Sequence, residues 1–236
     1  MAPRPLSLLC LHGYSMTSGM LKQHMEPHVR RLKGLARLTF AQAPHEVPWD
    51  DDGGGPASKS DLGLQFEEKR KVYAWAKVHV GNGAVTNVEG MPASLRLLAS
   101  AEAHEMAAHG HGFDGLLGFS QGAIIASLLV ALSTEPGAPI TPRFAIFAGG
   151  APFSKISPDP GVATLFERAT PVQLPTLHII GEHDTTVLPA WSASLEELCA
   201  EAKRVTHSHH GGHVVPSDEL SLRTFEEFLL ARQAEM

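Results

Sequence analysis

The sequence predicts an α/β fold, a doubly wound and mainly parallel sheet with helices on both faces, and three observations carry that expectation. Short, almost continuous apolar runs such as residues 6–11 and 176–180 are patterned like strands covered on both sides. Amphipathic stretches of helical period alternate with them along the chain. Gly118-Phe119-Ser120-Gln121-Gly122 joins one apolar run, residues 113–117, to a long apolar segment, residues 123–132, which reads as a tight turn from strand into helix.

Taken in order, residues 6–11 form the first strand, ended by His12-Gly13-Tyr14. Thr17 or Ser18 caps a helix that turns Met20, Leu21, Met25, Val29 and Leu32 inward, and residues 35–41 return as the second strand. From 43 to 90 the pattern fails. Ala43-Pro44-His45-Glu46-Val47-Pro48 is stiff, residues 50–56 are acidic and glycine-rich, residues 66–71 have room for one or two helical turns, and residues 72–80 fit either an extended or a helical piece. Pro92 opens a helix that carries Leu95, Leu98, Ala99 and Met106 as far as Gly110. The segment after Ser120 is apolar nearly all round, as suits a buried helix. Residues 143–147 make a strand, and 152–174, rich in proline, a second excursion. A strand over 176–180 follows, then a helix on Trp191, Leu195, Leu198 and Cys199, a strand over 204–208, and a terminal helix opened by Pro216 and Ser217 that buries Leu222, Phe225, Phe228 and Leu229. The 236 residues, 43% of them apolar, are read as a single domain with excursions 43–90 and 152–174 on the edge where the strands end.

Composition removes several function classes. A net charge of −6 without a long basic run gives no purchase for nucleic acid or an anionic membrane surface, and no apolar stretch reaches the ~18 residues of a membrane span. Cys10 and Cys199 lie on predicted core elements, so they are expected as reduced thiols in a cytoplasmic compartment, and the proline-flanked N-terminus does not read as a signal peptide.

The candidate chemistry sits where the predicted strands end. A serine at a glycine-flanked strand-to-helix turn is a nucleophile elbow, with its oxygen clear of the sheet and a helix N-terminus beneath it. Serine needs a histidine to take its proton, and the histidine needs an acid to fix its tautomer. Ser120, Asp184 and His213 stand in the chain order used by the α/β-hydrolases, with Glu182 and Asp159 as rival acids. His213 follows Gly211-Gly212 directly after the last strand; alternatively, His207, His209, His210 and His213 form a metal cluster, though no HExxH or CxxC accompanies them. The backbone N–H groups of Gln121 and Tyr14 are the candidate oxyanion donors. Met16, Trp49, Phe153, Val187 and Val214, together with Trp75, are the apolar groups expected to border an acyl substrate. No metal and no cofactor are expected, since no G-x-G-x-x-G opens a helix after a strand.

At Leu11-His12-Gly13-Tyr14, Ala43-Pro44-His45-Glu46-Val47, Gly118-Phe119-Ser120-Gln121-Gly122-Ala123, Gly181-Glu182-His183-Asp184 and His210-Gly211-Gly212-His213-Val214-Val215-Pro216 the chain resembles the FSH family of serine hydrolases, almost end to end. The acidic residues 50–56 depart from that pattern. The resemblance implies an α/β-hydrolase with carboxylesterase or thioesterase activity on small-molecule acyl esters or thioesters. The alternatives are an acyl-protein thioesterase, or a binding protein on a hydrolase scaffold whose triad is unused.

Overall fold

The computed structural model describes residues 3–48 and 71–236. Six strands, β1 (Leu6–Leu11), β2 (Ala36–Ala41), β7 (Gly115–Phe119), β8 (Phe144–Ala148), β9 (Thr176–Gly181) and β10 (Arg204–His209), make one sheet in the order β10-β9-β8-β7-β1-β2, every pair parallel. The four inner strands are buried along their whole length, as their unbroken apolar runs require.

Alternation of side chains along each strand divides the interior into two cores. Leu9 and Leu11 of β1 face one way, with Leu116, Ala145 and Phe147, and are covered by α3 (Met91–His109), α4 (Gln121–Leu132), α5 (Pro160–Ala169) and α6 (Pro189–Glu196). Leu8 and Cys10 face the other way, with Leu117, Phe119, Ile146 and Ile179, and are covered by α1 (Ser18–His24) and α7 (Glu219–Ala234). Helix α4 buries every residue from Gln121 to Ala131, which is why its sequence shows no polar face. Both cysteines are free and buried, and burial pushes each thiol above its usual range.

Several elements depart from the expectation. The first helix is two: Pro27 starts α2 (Glu26–Arg31) after a break at Met25, and the altered phase buries His28 while Val29 is only partly covered. Met106 of α3 is 49% exposed; the inward position is taken by Glu105, which accepts from Ser7 Oγ at 2.5 Å and pairs with Arg37. The first excursion is extended where it is described. Strand β3 (His45–Val47) pairs antiparallel with β4 (Val72–Ala74), and β5 (Lys77–Gly81) folds onto β6 (Ala84–Glu89) through Asn82-Gly83, both at positive φ. The acidic residues 50–56, the turns expected over 66–71 apart from Lys71, and Trp49 lie outside the described residues. The second excursion is not only loop: Asp159 caps α5 by accepting from Gly161 N–H at 2.8 Å. Leu198 and Cys199 fall beyond the end of α6, and α7 starts at Glu219, after the cap Asp218 whose carboxylate takes the Ser221 N–H, later than Pro216 and Ser217 suggest.

Three buried histidines give the fold a pH signature. Burial lowers His12 to about 4, His28 to about 4 and His178 to about 3. Each is neutral in the folded chain and takes a proton near 6.5 when unfolded, so the unfolded state binds more protons between those values. Stability is therefore full above pH 6.5 and falls as pH drops towards 4, by up to about 1.4 kcal/mol per pH unit for each histidine. Denaturant midpoints measured from pH 7 to 4.5 should fall steeply; a flat profile would show that these imidazoles are charged or wet in the native state.

Candidate active site

Ser120 links β7 to α4 at φ 55° and ψ −122°, a conformation rare for any residue with a side chain. Three backbone bonds hold it: Ser120 N–H donates to Ala148 O at 2.9 Å, and Ser120 O accepts from Ala123 N–H at 2.9 Å and Ile124 N–H at 3.1 Å. Gly122 is required on steric grounds, because a Cβ there would stand 2.0 Å from Leu11 O at the end of β1. That close approach sets the start of α4 directly against the loop leaving β1. The first N–H groups of α4, Gln121 included, have no acceptor within the helix.

Asp184 leaves β9 and His213 leaves the loop after β10. His213 Nδ1 and Asp184 Oδ2 are 2.6 Å apart, with side-chain exposures of 1% and 2%. Asp184 Oδ1 accepts from the backbone N–H groups of Thr186 at 2.8 Å and Val187 at 2.9 Å, so both oxygens are used and the carboxylate cannot turn. Gly149, next after β8 and at φ +54°, leaves room for the pair: a Cβ on it would come within 3.1 Å of the His213 ring and 3.4 Å of Asp184 Oδ2. The imidazole lies over Phe119, the residue before the serine, with ring centroids 4.8 Å apart. Val215 N–H donates to His24 Nε2 at 3.1 Å and ties the histidine loop to α1. His213 Nε2 is buried without a hydrogen-bond partner among the described residues, Ser120 Oγ included.

The rival acids are engaged elsewhere. Glu182 pairs with the exposed His210 at 2.6 Å, and Asp159 caps α5. The other histidines of the alternative metal cluster diverge: His207 meets Ser221 Oγ at 2.8 Å, and His209 Nδ1 accepts from Gly211 N–H at 3.2 Å. Met16 and Val187 are buried, at 1% and 5% exposure, and Val214 is half-buried. Phe153 lines a cavity of about 410 Å³ with Val88, Met91, Leu95, Leu128 and Leu165, alongside α4.

One group expected at the substrate edge belongs to the frame instead. Trp75 is fully buried, its indole N–H donates to His12 O at 2.9 Å, and it sits in the core with Ala43 and Ile125. His12 itself fixes the loop after β1. Its Nε2 accepts from Ala43 N–H at 3.0 Å, so Nδ1 carries the proton and donates to Gly13 O at 2.8 Å. Tyr14, half-buried, follows in that loop, and Met16 exchanges backbone bonds with Tyr73 of β4 at 3.0 and 3.4 Å. Sequence reasoning missed these roles for His12 and Trp75, whose partners lie far away in the chain.

Comparison with known proteins agrees with this architecture. The family model described as serine hydrolase (FSH1) matches residues 1–225. The Homo sapiens protein named esterase OVCA2 is 31% identical over 238 residues, covering 97% of each chain. Among solved structures, Zea mays acyl-protein thioesterase 2 superposes with a TM-score of 0.61 at 18% identity, covering 97% of this chain and 95% of its own. A carboxylesterase from Mesorhizobium loti gives 0.61 at 20% identity, covering 95% of this chain and 88% of its own. At such identities the two structures speak for the fold alone, an α/β-hydrolase. With the family model spanning nearly the whole chain, the protein belongs to the FSH1 family of serine hydrolases.

Proposed function

We propose that the protein hydrolyses carboxylic esters or thioesters of apolar acyl chains through a triad of Ser120, His213 and Asp184. The observation that carries this reading is the buried 2.6 Å bond between His213 and Asp184, at the ends of strands separated by β8 from the strand that leads to a serine held at positive φ. In the proposed reaction, Ser120 Oγ attacks the acyl carbonyl carbon while its proton passes to His213 Nε2. Asp184 holds the Nδ1 proton and stabilises the imidazolium. The oxyanion takes hydrogen bonds from the Tyr14 and Gln121 N–H groups, at a helix N-terminus whose dipole favours negative charge. Collapse of the tetrahedral adduct expels the alcohol or thiol, which leaves with the proton from His213. Water, deprotonated by His213, then attacks the acyl-enzyme and releases the acid.

Apolar acyl groups are favoured because Met16, Val187 and Val214 flank the oxyanion loop, the acid and the histidine. Each methylene buried contributes about 0.8 kcal/mol, so kcat/KM should rise roughly threefold to fourfold per carbon until the space is filled. A series of p-nitrophenyl esters from acetate to palmitate, with peptide amides as control, tests this. Activity that peaks at acetate and falls with length, or amides cut as readily as esters, would reject the acyl assignment.

A further inference from the structure

The residue after the nucleophile has a second role in its side chain. Gln121 is 6% exposed, and its carboxamide is held at both ends by backbone groups of another segment. Its Oε1 accepts from Trp75 N–H at 2.8 Å, and its Nε2 donates to Ala76 O at 2.8 Å. The amide thus acts as a short length of strand, filling both backbone positions of the segment between β4 and β5. From that segment three further contacts run onward. The Trp75 indole N–H holds His12 O, Ser94 Oγ donates to Trp75 O at 2.5 Å, and Tyr73 exchanges backbone bonds with Met16. His12 and Met16 are the two ends of the loop that carries Tyr14.

We propose that the Gln121 carboxamide is a positioning device for the oxyanion hole: it fixes the distance between the donor on α4 and the donor on the loop after β1 by clamping residues 73–76 between them. The inference rests on the esterase reading above and adds a residue role to it. The chemistry selects glutamine. A carboxylate would place an oxygen against Ala76 O, and an aliphatic side chain would leave Trp75 N–H and Ala76 O buried and unpaired. The substitution leaves the backbone N–H of residue 121 in place, so any loss reports the side chain and not the donor itself.

The test compares wild type with Gln121→Met, Gln121→Glu and Trp75→Phe, the last of which keeps a smaller aromatic ring but removes the bond to His12 O. On p-nitrophenyl butyrate, kcat per folded molecule should fall roughly 10- to 100-fold in Gln121→Met, less than the loss of a whole donor, with KM changed by less than about threefold. Affinity for a trifluoromethyl ketone, whose adduct with the serine carries an oxyanion, should fall by the same factor as kcat. The double variant of Gln121→Met with Trp75→Phe should lose no more than the worse single one, since both cut one chain of contacts. A lowered melting temperature with unchanged kcat and ketone affinity would make the carboxamide a purely structural brace and overturn the proposal, as would additive losses in the double variant. Should Gln121→Met fail to fold, Trp75→Phe carries the same kcat and ketone readouts. An inactive wild type that does not bind the ketone would instead reject the esterase reading, and the oxyanion role would fall with it.

Discussion

Replacing Ser120 with alanine should lower ester turnover by roughly 10⁴-fold or more while leaving the fold intact, because triad members act as a unit and no second nucleophile replaces the first. The fold is expected to survive for a local reason. The positive φ of residue 120 is imposed by the backbone bonds to Ala148, Ala123 and Ile124, none of which uses the hydroxyl. Alanine meets the same strain as serine. Glycine relieves it, so Ser120→Gly should be equally inactive yet more stable than Ser120→Ala by about 1 kcal/mol. More than a tenth of wild-type turnover in either variant would end the serine mechanism.

Asp184→Asn should cut kcat by roughly 10³- to 10⁴-fold, and the hydrogen bonds around the carboxylate say why. Oδ1 must remain an acceptor, since it takes the N–H groups of Thr186 and Val187. The amide NH₂ is therefore forced into the Oδ2 position, facing His213 Nδ1 at the 2.6 Å contact. A donor there makes Nδ1 an acceptor and moves the ring proton to Nε2, the atom that has to receive the serine proton. Glu182→Gln, which alters a side chain paired with the exposed His210, should stay within a few-fold of wild type. A reversal of the two results would move the acid to Glu182 while leaving the nucleophile where it is.

The sheet and the order of the site residues were legible because the signals are local. A fully buried strand announces itself as an apolar run, and β1 begins and ends where its run does. The elbow needs small residues at fixed offsets, and Gly122 shows the reason in its 2.0 Å approach to Leu11 O. Ser120, Asp184 and His213 each follow a strand, so parallel topology puts all three at the edge where the strands end. The β5–β6 hairpin was also local, written in Asn82-Gly83 between two runs of β character, and went unread because the flanking strands are mostly exposed. Helix α5 was hidden by the prolines around it, although Pro160 marks its first turn.

Other features were not local at all. Trp75 looked like a substrate contact because a tryptophan in an excursion has no sequence mark for burial, and its anchors, His12 O and the Gln121 amide, lie 63 and 46 residues away. Glu105 occupies an inward position of α3 because Ser7 and Arg37 wait for it across the sheet end, which helical periodicity cannot register. The Gln121 side chain was unreadable for the same reason: its partners are backbone atoms, which carry no residue identity.

Covalent labelling of Ser120 tests the central claim most directly. A fluorophosphonate requires a serine oxygen activated by a histidine, and its phosphoryl oxygen requires the oxyanion donors, so it reports the assembled machinery rather than any one residue. Mass spectrometry of the probe-treated protein should find a single adduct, on the peptide containing Ser120, absent from Ser120→Ala and formed far more slowly in Asp184→Asn. An unlabelled wild-type protein, or an adduct on another residue that persists in Ser120→Ala, would contradict a working triad at this site.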